Sequence, residues 1–237
     1  MSKAALITGG AVRIGRELAL RLAYMSYDIA LHFNSSESRA QETAERVRDC
    51  GVRCSIFNCD LACEEDVLSL IPRVVEKFPA LEVLVNNASV FEKGSILETG
   101  PQFFSRQMAV NFKAPFFLSR DFARSCKKGL IINVLDTRIS RNDFSYAAYT
   151  LSRKALAELT GISAREFAPG IRVNAIAPGL VLPPEGESEG CLDRLAMKIP
   201  LRRTGDIDNI THALEFLVKN DFITGQVIYV DGGEHLM

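Results

Sequence analysis

The chain has 237 residues, of which 47% are hydrophobic and 24% charged, with a net charge of −1 at pH 7. That length and apolar content suit one α/β domain with a full core. The near-neutral balance argues against a nucleic-acid partner, which needs a basic stripe, and no apolar run reaches the roughly 18 residues that suggest a membrane span. Met1-Ser2-Lys3 leads straight into Ala4-Ala5-Leu6-Ile7, without the pattern of a secretory leader, so a cytoplasmic setting is expected.

Residues 4–8 are a short apolar run that predicts a buried strand. Ile14, Leu18, Leu22 and Met25 fall at helical spacing and predict a helix over 14–25. A second strand is expected at 28–33, a polar helix at 38–50 and a third strand at 52–57. A helix at 64–78 follows, with acidic residues in its first turn, where the helix dipole favours them. Then come a strand at 81–85, a long helix at 101–125, a strand at 130–135 and a second long helix at 145–167. The chain closes with a strand at 171–176, a helix at 206–219 and a strand at 226–230. Strands alternating with helices imply a single Rossmann-like, doubly wound domain, with a seven-stranded parallel sheet covered on both faces. The stretch 180–189, rich in Pro, Gly and Glu, follows a strand on the ligand side, and a substrate lid is expected there, within a wider loop region at 180–200.

Six cysteines fit a reducing compartment as free thiols. Cys50, Cys54, Cys59 and Cys63 lie close together, but none is spaced as C-x-x-C and no histidine falls among them, so no metal site is expected.

Four short motifs carry the chemistry. Thr8-Gly9-Gly10-Ala11-Val12-Arg13-Ile14-Gly15 links the first strand to its helix. Glycines there let the backbone approach a pyrophosphate at the helix N-terminus. Asn86-Asn87-Ala88-Ser89 follows the fourth strand, Asp136 and Tyr149 stand thirteen positions apart, and Pro178-Gly179 follows the sixth strand. Together they suit a dinucleotide-dependent reductase. The second strand ends in Asn34-Ser35-Ser36, with no acidic residue before Glu37 to take a ribose diol. Hydroxyls, an amide and the fixed charge of Arg13 suit a 2′-phosphate, so NADP(H) is expected in preference to NAD(H). Asn34 to Ser36 could equally cap the next helix.

With these motifs the chain resembles the short-chain dehydrogenases/reductases over essentially its whole length. The resemblance implies that Gly9, Ile14, Asp60, Leu61, Asn87 and Ala88 hold the adenosine and pyrophosphate of the cofactor, and that Pro178 and Gly179 face the nicotinamide. It also implies that Asn111 supports a water relay. Val227 to Gly233, reading VIYVDGG, is similar to the family's closing strand. Within the family the details resemble pteridine and dihydromonapterin reductases. Arg13 replaces the middle glycine of the first motif, Ser89 and Phe91 follow Asn-Asn-Ala, and Asp136 stands where most members have a serine. The resemblance implies that Arg13, Ser89, Phe91, Asp136 and Tyr149 contact a pterin, Ser89 also touching the cofactor. It makes Tyr149 the proton donor, and a homotetramer the expected assembly. Phe91 could instead be an ordinary exposed aromatic.

One position departs from the family. Four residues after Tyr149, where lysine is usual, the chain has Arg153, followed by Lys154. Positions i and i+4 share a helix face, so Arg153 takes the lysine's register and Lys154 points elsewhere. Arginine keeps the charge but does not release a proton. The expectation is that Arg153 joins Asp136, Tyr149 and Asn111 in the catalytic set, with reduced efficiency. Tyr146 is a weaker candidate than Tyr149, since Thr150 stands four residues after it. The expected activity is NADPH-dependent reduction of a dihydropterin. The alternatives are a carbonyl reductase, such as a 3-oxoacyl carrier-protein reductase, and a non-catalytic NADP(H)-binding protein.

Overall fold

The computed structural model describes residues 2–182 and 194–237. Seven strands form one parallel sheet in the order β3-β2-β1-β4-β5-β6-β7. They are β1 (Ala4–Ile7), β2 (Asp28–Phe33), β3 (Cys54–Asn58), β4 (Leu81–Asn86), β5 (Gly129–Val134), β6 (Ile171–Pro178) and β7 (Val227–Val230). β1 and β2 are buried along their whole length, as apolar strands covered on both faces should be.

Helices α1 (Arg13–Tyr24), α2 (Glu37–Asp49) and α7 (Ile207–Lys219) pack on one face, and α3 (Glu64–Lys77), α4 (Pro101–Met108), α5 (Ala114–Ser125) and α6 (Ala147–Glu166) on the other. In α1, Gly15, Leu18, Ala19, Leu22 and Ala23 form the buried stripe. Full burial of a leucine such as Leu18 or Leu22 contributes about 1.5–3 kcal/mol. Asp206 caps α7, accepting from Asp208 N at 3.1 Å, and Asn209 reaches back to Asp206 N at 2.8 Å. Three acidic residues, Glu64, Glu65 and Asp66, open α3.

Strand order reverses between β1 and β4, which places a crevice at the carboxyl ends of those strands. The turn after β1 and the segment after β4 lie side by side along it.

The helix expected over 101–125 spans that range but is not regular throughout. A π-turn, Ala109–Lys113, separates α4 from α5. Pro115 has no N–H to give to the carbonyl of Asn111, and its ring would crowd that carbonyl, so the regular ladder shifts there. α6 starts at Ala147 rather than at 145, and β3 lies at 54–58 rather than at 52–57. The expected lid at 180–189 lies, from 183 onward, outside the described residues. Among the described residues no helix is long and apolar enough to cross a membrane. Cys54 and Cys59 are buried, which pushes their thiols up to about 11 and about 12.

Candidate active site

The turn after β1 is built by close backbone approach. Gly9 has a φ of 63°, a conformation that costs glycine little. A Cβ on Gly15 would sit 2.1 Å from the Gly9 carbonyl oxygen and 2.5 Å from Asn87 Nδ2. Gly15→Ala is therefore expected to cost about 2–3 kcal/mol and to abolish dinucleotide binding, read by thermal melting and by NADPH fluorescence titration. Arg13, exposed at the head of α1, also lies in the left-handed region, at φ 52°.

Thr8 ties this turn to the segment after β4. Its hydroxyl accepts from Asn87 N at 2.9 Å and Ala88 N at 3.0 Å. Asn87 Nδ2 donates to Thr8 O at 2.9 Å and to Gly9 O at 3.1 Å. The Asn87 side chain therefore holds the glycine turn in shape.

His32 is a second tie that sequence reasoning missed. Its Nδ1 accepts from Gly9 N at 2.9 Å, and its Nε2 lies 3.0 Å from the Cys59 carbonyl oxygen, to which it donates. The bond from Gly9 needs the neutral ring, since a protonated Nδ1 could not accept it, and burial lowers the histidine's pKa to about 4 from 6.5, outweighing the Cys59 bond that favours the charged form. Between those values the unfolded chain binds a proton that the folded chain refuses. Stability therefore falls as pH falls from 6.5 toward 4, by on the order of 3 kcal/mol from this group. Melting curves of wild type and His32→Gln across that window should show the slope shrink in the variant; equal slopes would assign the acid sensitivity elsewhere. A histidine at the end of a fully buried strand was the available signal.

Gly9, Arg13, Ile14, Asn34, Asp60, Leu61, Asn87, Ala88, Ser89 and Phe91 line one groove of about 730 Å³. Ser35 and Ser36 follow Asn34 into α2 but do not line the groove. Arg13 also borders an adjoining groove of about 490 Å³ with Arg16 and Arg39, two basic residues the motifs did not suggest, and with Glu17 and Glu42, Arg16 pairing with Glu17 at 2.8 Å. The size and the glycine-lined backbone fit a phosphorylated dinucleotide, with Arg13 and Arg39 at its edge for a phosphate.

Beyond the groove lies the pair Asp136 and Tyr149. Tyr149 OH donates to Asp136 Oδ2 at 2.9 Å. Asp136 Oδ1 accepts from Arg138 N at 2.8 Å, capping the short 3₁₀ turn Thr137–Ser140. The two oxygens of one carboxylate thus have separate partners. Burial, then the Asp136 charge, push the Tyr149 phenol well above its ordinary value, while Arg153 pulls it down. The Arg153 guanidinium carbon lies 5.4 Å from the Tyr149 ring centroid. Arg153 is buried, and its Nε and Nη1 have no hydrogen-bond partner within the protein. Buried donors without partners mark a place for a ligand or ordered water. Lys154 turns away and donates to Asn142 Oδ1.

Phe91 connects groove and pair. Its ring stacks on Tyr146 (4.6 Å, 5°) and meets the Tyr149 ring edge-on (4.7 Å, 77°). Tyr146 is thus an aromatic partner at the groove wall, with Arg138 4.7 Å from its centroid. Neither contact could be read from spacing alone. Asn111 Oδ1 accepts from Val90 N, and its Nδ2 donates to Val90 O, both at 2.9 Å, and to Gln107 Oε1 at 3.0 Å. Its side chain is committed to fixing the residue between Ser89 and Phe91, so a water relay at this position would have to use its main chain. Pro178 ends β6, and Gly179 packs so closely on Asp231 that a Cβ would lie 2.6 Å from Asp231 Cβ.

Residues 10–235 match the family described as enoyl-(acyl carrier protein) reductase. The chain belongs to this family of short-chain dehydrogenases/reductases and is an oxidoreductase. The 3-oxoacyl-[acyl-carrier-protein] reductase FabG of Staphylococcus epidermidis is 31% identical over 244 residues, covering 100% of both chains. The structure is similar to that of FolM alternative dihydrofolate reductase 1 from Brucella canis complexed with NADP, at 34% identity and TM-score 0.94, covering 99% of this chain and 94% of that one. The FolM structure from Brucella suis in complex with NADP matches with the same identity and TM-score, covering 99% of this chain and 96% of that one.

Proposed function

We propose that the chain uses NADPH to reduce a pteridine, a dihydropterin to its tetrahydro form. The observation that carries this reading is the Asp136–Tyr149 hydrogen bond beside the Phe91 ring. The FolM structures with NADP, similar over nearly the whole chain, support the cofactor and the substrate class.

When bound, NADPH supplies the hydride to the carbon of a C=N bond, and the protein must supply a proton to the nitrogen. Tyr149 keeps its proton at working pH, because burial and Asp136 disfavour the phenolate. It therefore acts as an O–H donor. Arg153 offsets negative charge as the proton leaves. Asp136 favours a substrate ring that carries or develops positive charge, and Phe91 offers it a flat face backed by Tyr146. Arg13 and Ser89, which line the groove, would hold cofactor and substrate, and the buried, unpartnered donors of Arg153 would be met by the bound cofactor. The exposed Phe116 on α5, with Leu151 and Ile162 on α6, supports an assembly built on those helices, for which a homotetramer is our reading.

The second reading is a 3-oxoacyl carrier-protein reductase, favoured by the full-length FabG similarity. A carboxylate at 136 opposes it, because a ketone becoming an oxyanion gains from a neutral donor. NADPH oxidation with 7,8-dihydrobiopterin, 7,8-dihydromonapterin, dihydrofolate and an acetoacetyl thioester separates the two. Turnover of a pterin but not the thioester supports the first, and turnover of the thioester alone supports the second. NADPH binding without turnover of any substrate would point to a non-catalytic binding protein.

A further inference from the structure

We infer that the C-terminal turn after β7 orients Asp136: Asp231 and Glu234 clamp the two ends of the 3₁₀ turn that Asp136 opens, making Thr137 and Arg141 positioning residues. This rests on Asp136 being the catalytic carboxylate. The turn Thr137–Ser140 is only four residues long, and its own backbone ties are Ile139 N to Asp136 O at 3.2 Å and Arg141 N to Arg138 O at 3.0 Å. At its front, Thr137 Oγ1 donates to Asp231 Oδ2 at 2.7 Å. At its back, Arg141 Nη2 donates to Glu234 O at 2.9 Å and pairs with Glu234 Oε1 at 2.8 Å.

The clamp is itself rigid. Asp231 accepts from Gly233 N at 3.0 Å and from His235 N at 2.7 Å, with His235 Nδ1 at 2.9 Å. The His235 ring stacks on Tyr229 of β7 at 4.1 Å. Thr137, Asp231 and Glu234 are all buried. The C-terminal turn is thus anchored to the last strand of the sheet, and the 3₁₀ turn to the C-terminal turn. With both ends fixed, the Asp136 backbone cannot rotate freely. Its Oδ1 stays on Arg138 N and its Oδ2 on Tyr149 OH.

The test is a double-mutant cycle between Thr137→Val and Asp136→Asn. Thr137→Val keeps the shape and removes the donor to Asp231. It is expected to lower kcat about tenfold or more, since small displacements of a catalytic group carry large rate costs. KM and the NADPH dissociation constant should stay within about twofold, and Thr137→Ser should restore most of kcat. In the Asp136→Asn background, Thr137→Val should change kcat by less than about twofold, because its effect runs through Asp136. An equal fall in both backgrounds, or no rescue by serine, would overturn the clamp. The assay uses whichever of the dihydropterin and the thioester the wild type reduces. If it reduces neither, the proposed function fails while the clamp remains testable. The same cycle on melting temperature then decides: non-additive shifts support it and additive shifts overturn it.

Discussion

Asp136→Asn is expected to lower kcat for a dihydropterin by about 10²–10³-fold while leaving NADPH affinity within about twofold. Asparagine keeps the shape, so the cap on Arg138 N survives. The charge facing a basic heterocycle does not. The same variant should reshape the pH profile. Asp136 is one of the groups that hold the Tyr149 proton on. Without its charge the phenol ionises at lower pH, and a proton donor is lost as pH rises through that value. The alkaline fall of kcat should therefore begin at lower pH in Asp136→Asn than in wild type. Steady-state rates across pH, with both proteins at saturating NADPH, check both points. A variant within about threefold of wild type at every pH would mean that the carboxylate charge is not used. Asp136→Ser extends the test: it should lose pterin turnover and, if the scaffold is otherwise competent, gain on an acetoacetyl thioester.

Arg153 carries the second large effect. Arg153→Ala should reduce kcat/KM by about 10²-fold or more and weaken NADPH binding, because it removes the cation beside Tyr149 and the buried donors. Arg153→Lys should match or exceed wild type, since an ammonium on the same helix face is less bulky and can exchange a proton. The melting temperature of Arg153→Ala should not fall in step with activity. A buried guanidinium with unmet donors is a cost to the folded chain, which offsets part of the cavity left behind. If Arg153→Ala retained full turnover, or Arg153→Lys lost it, the lysine-like role would be wrong.

The sheet was legible in the sequence because its strands are short apolar runs bounded by glycine and polar residues, as around Ile7 and Val85. The shared face of Tyr149 and Arg153 was legible because helix periodicity brings positions i and i+4 together, whereas Asp136, on a separate turn after β5, was legible only through the family resemblance. The π-turn was not, because apolar spacing continues across it and only Pro115 hints at a shifted ladder. His32 was missed because a strand pattern shows that a side chain is buried, not what it meets. By spacing alone Tyr146 is only a rival to Tyr149. Its contact with Phe91 joins segments separated by more than fifty residues, which no local pattern reports. The C-terminal clamp was hidden for the same reason, since Thr137 and Asp231 are 94 positions apart.

The π-turn also makes chain length a constraint in its own right. It places an extra residue between two helical halves that are both committed to the core, and the bulge absorbs that residue without changing their phase. Removing one residue from 109–113 would close the bulge into a regular ladder and leave the two halves facing as they do. Removing a second, with no bulge left to spend, would turn everything after it by about 100°. Leu118 and Phe122, wholly buried, would then swing off the sheet, whatever residues remained. The exposed stretch around Leu97 and Gly100, a few residues upstream, has no such phase to keep. Tolerance to deletion should therefore be open before Pro101 and only one residue deep at 109–113.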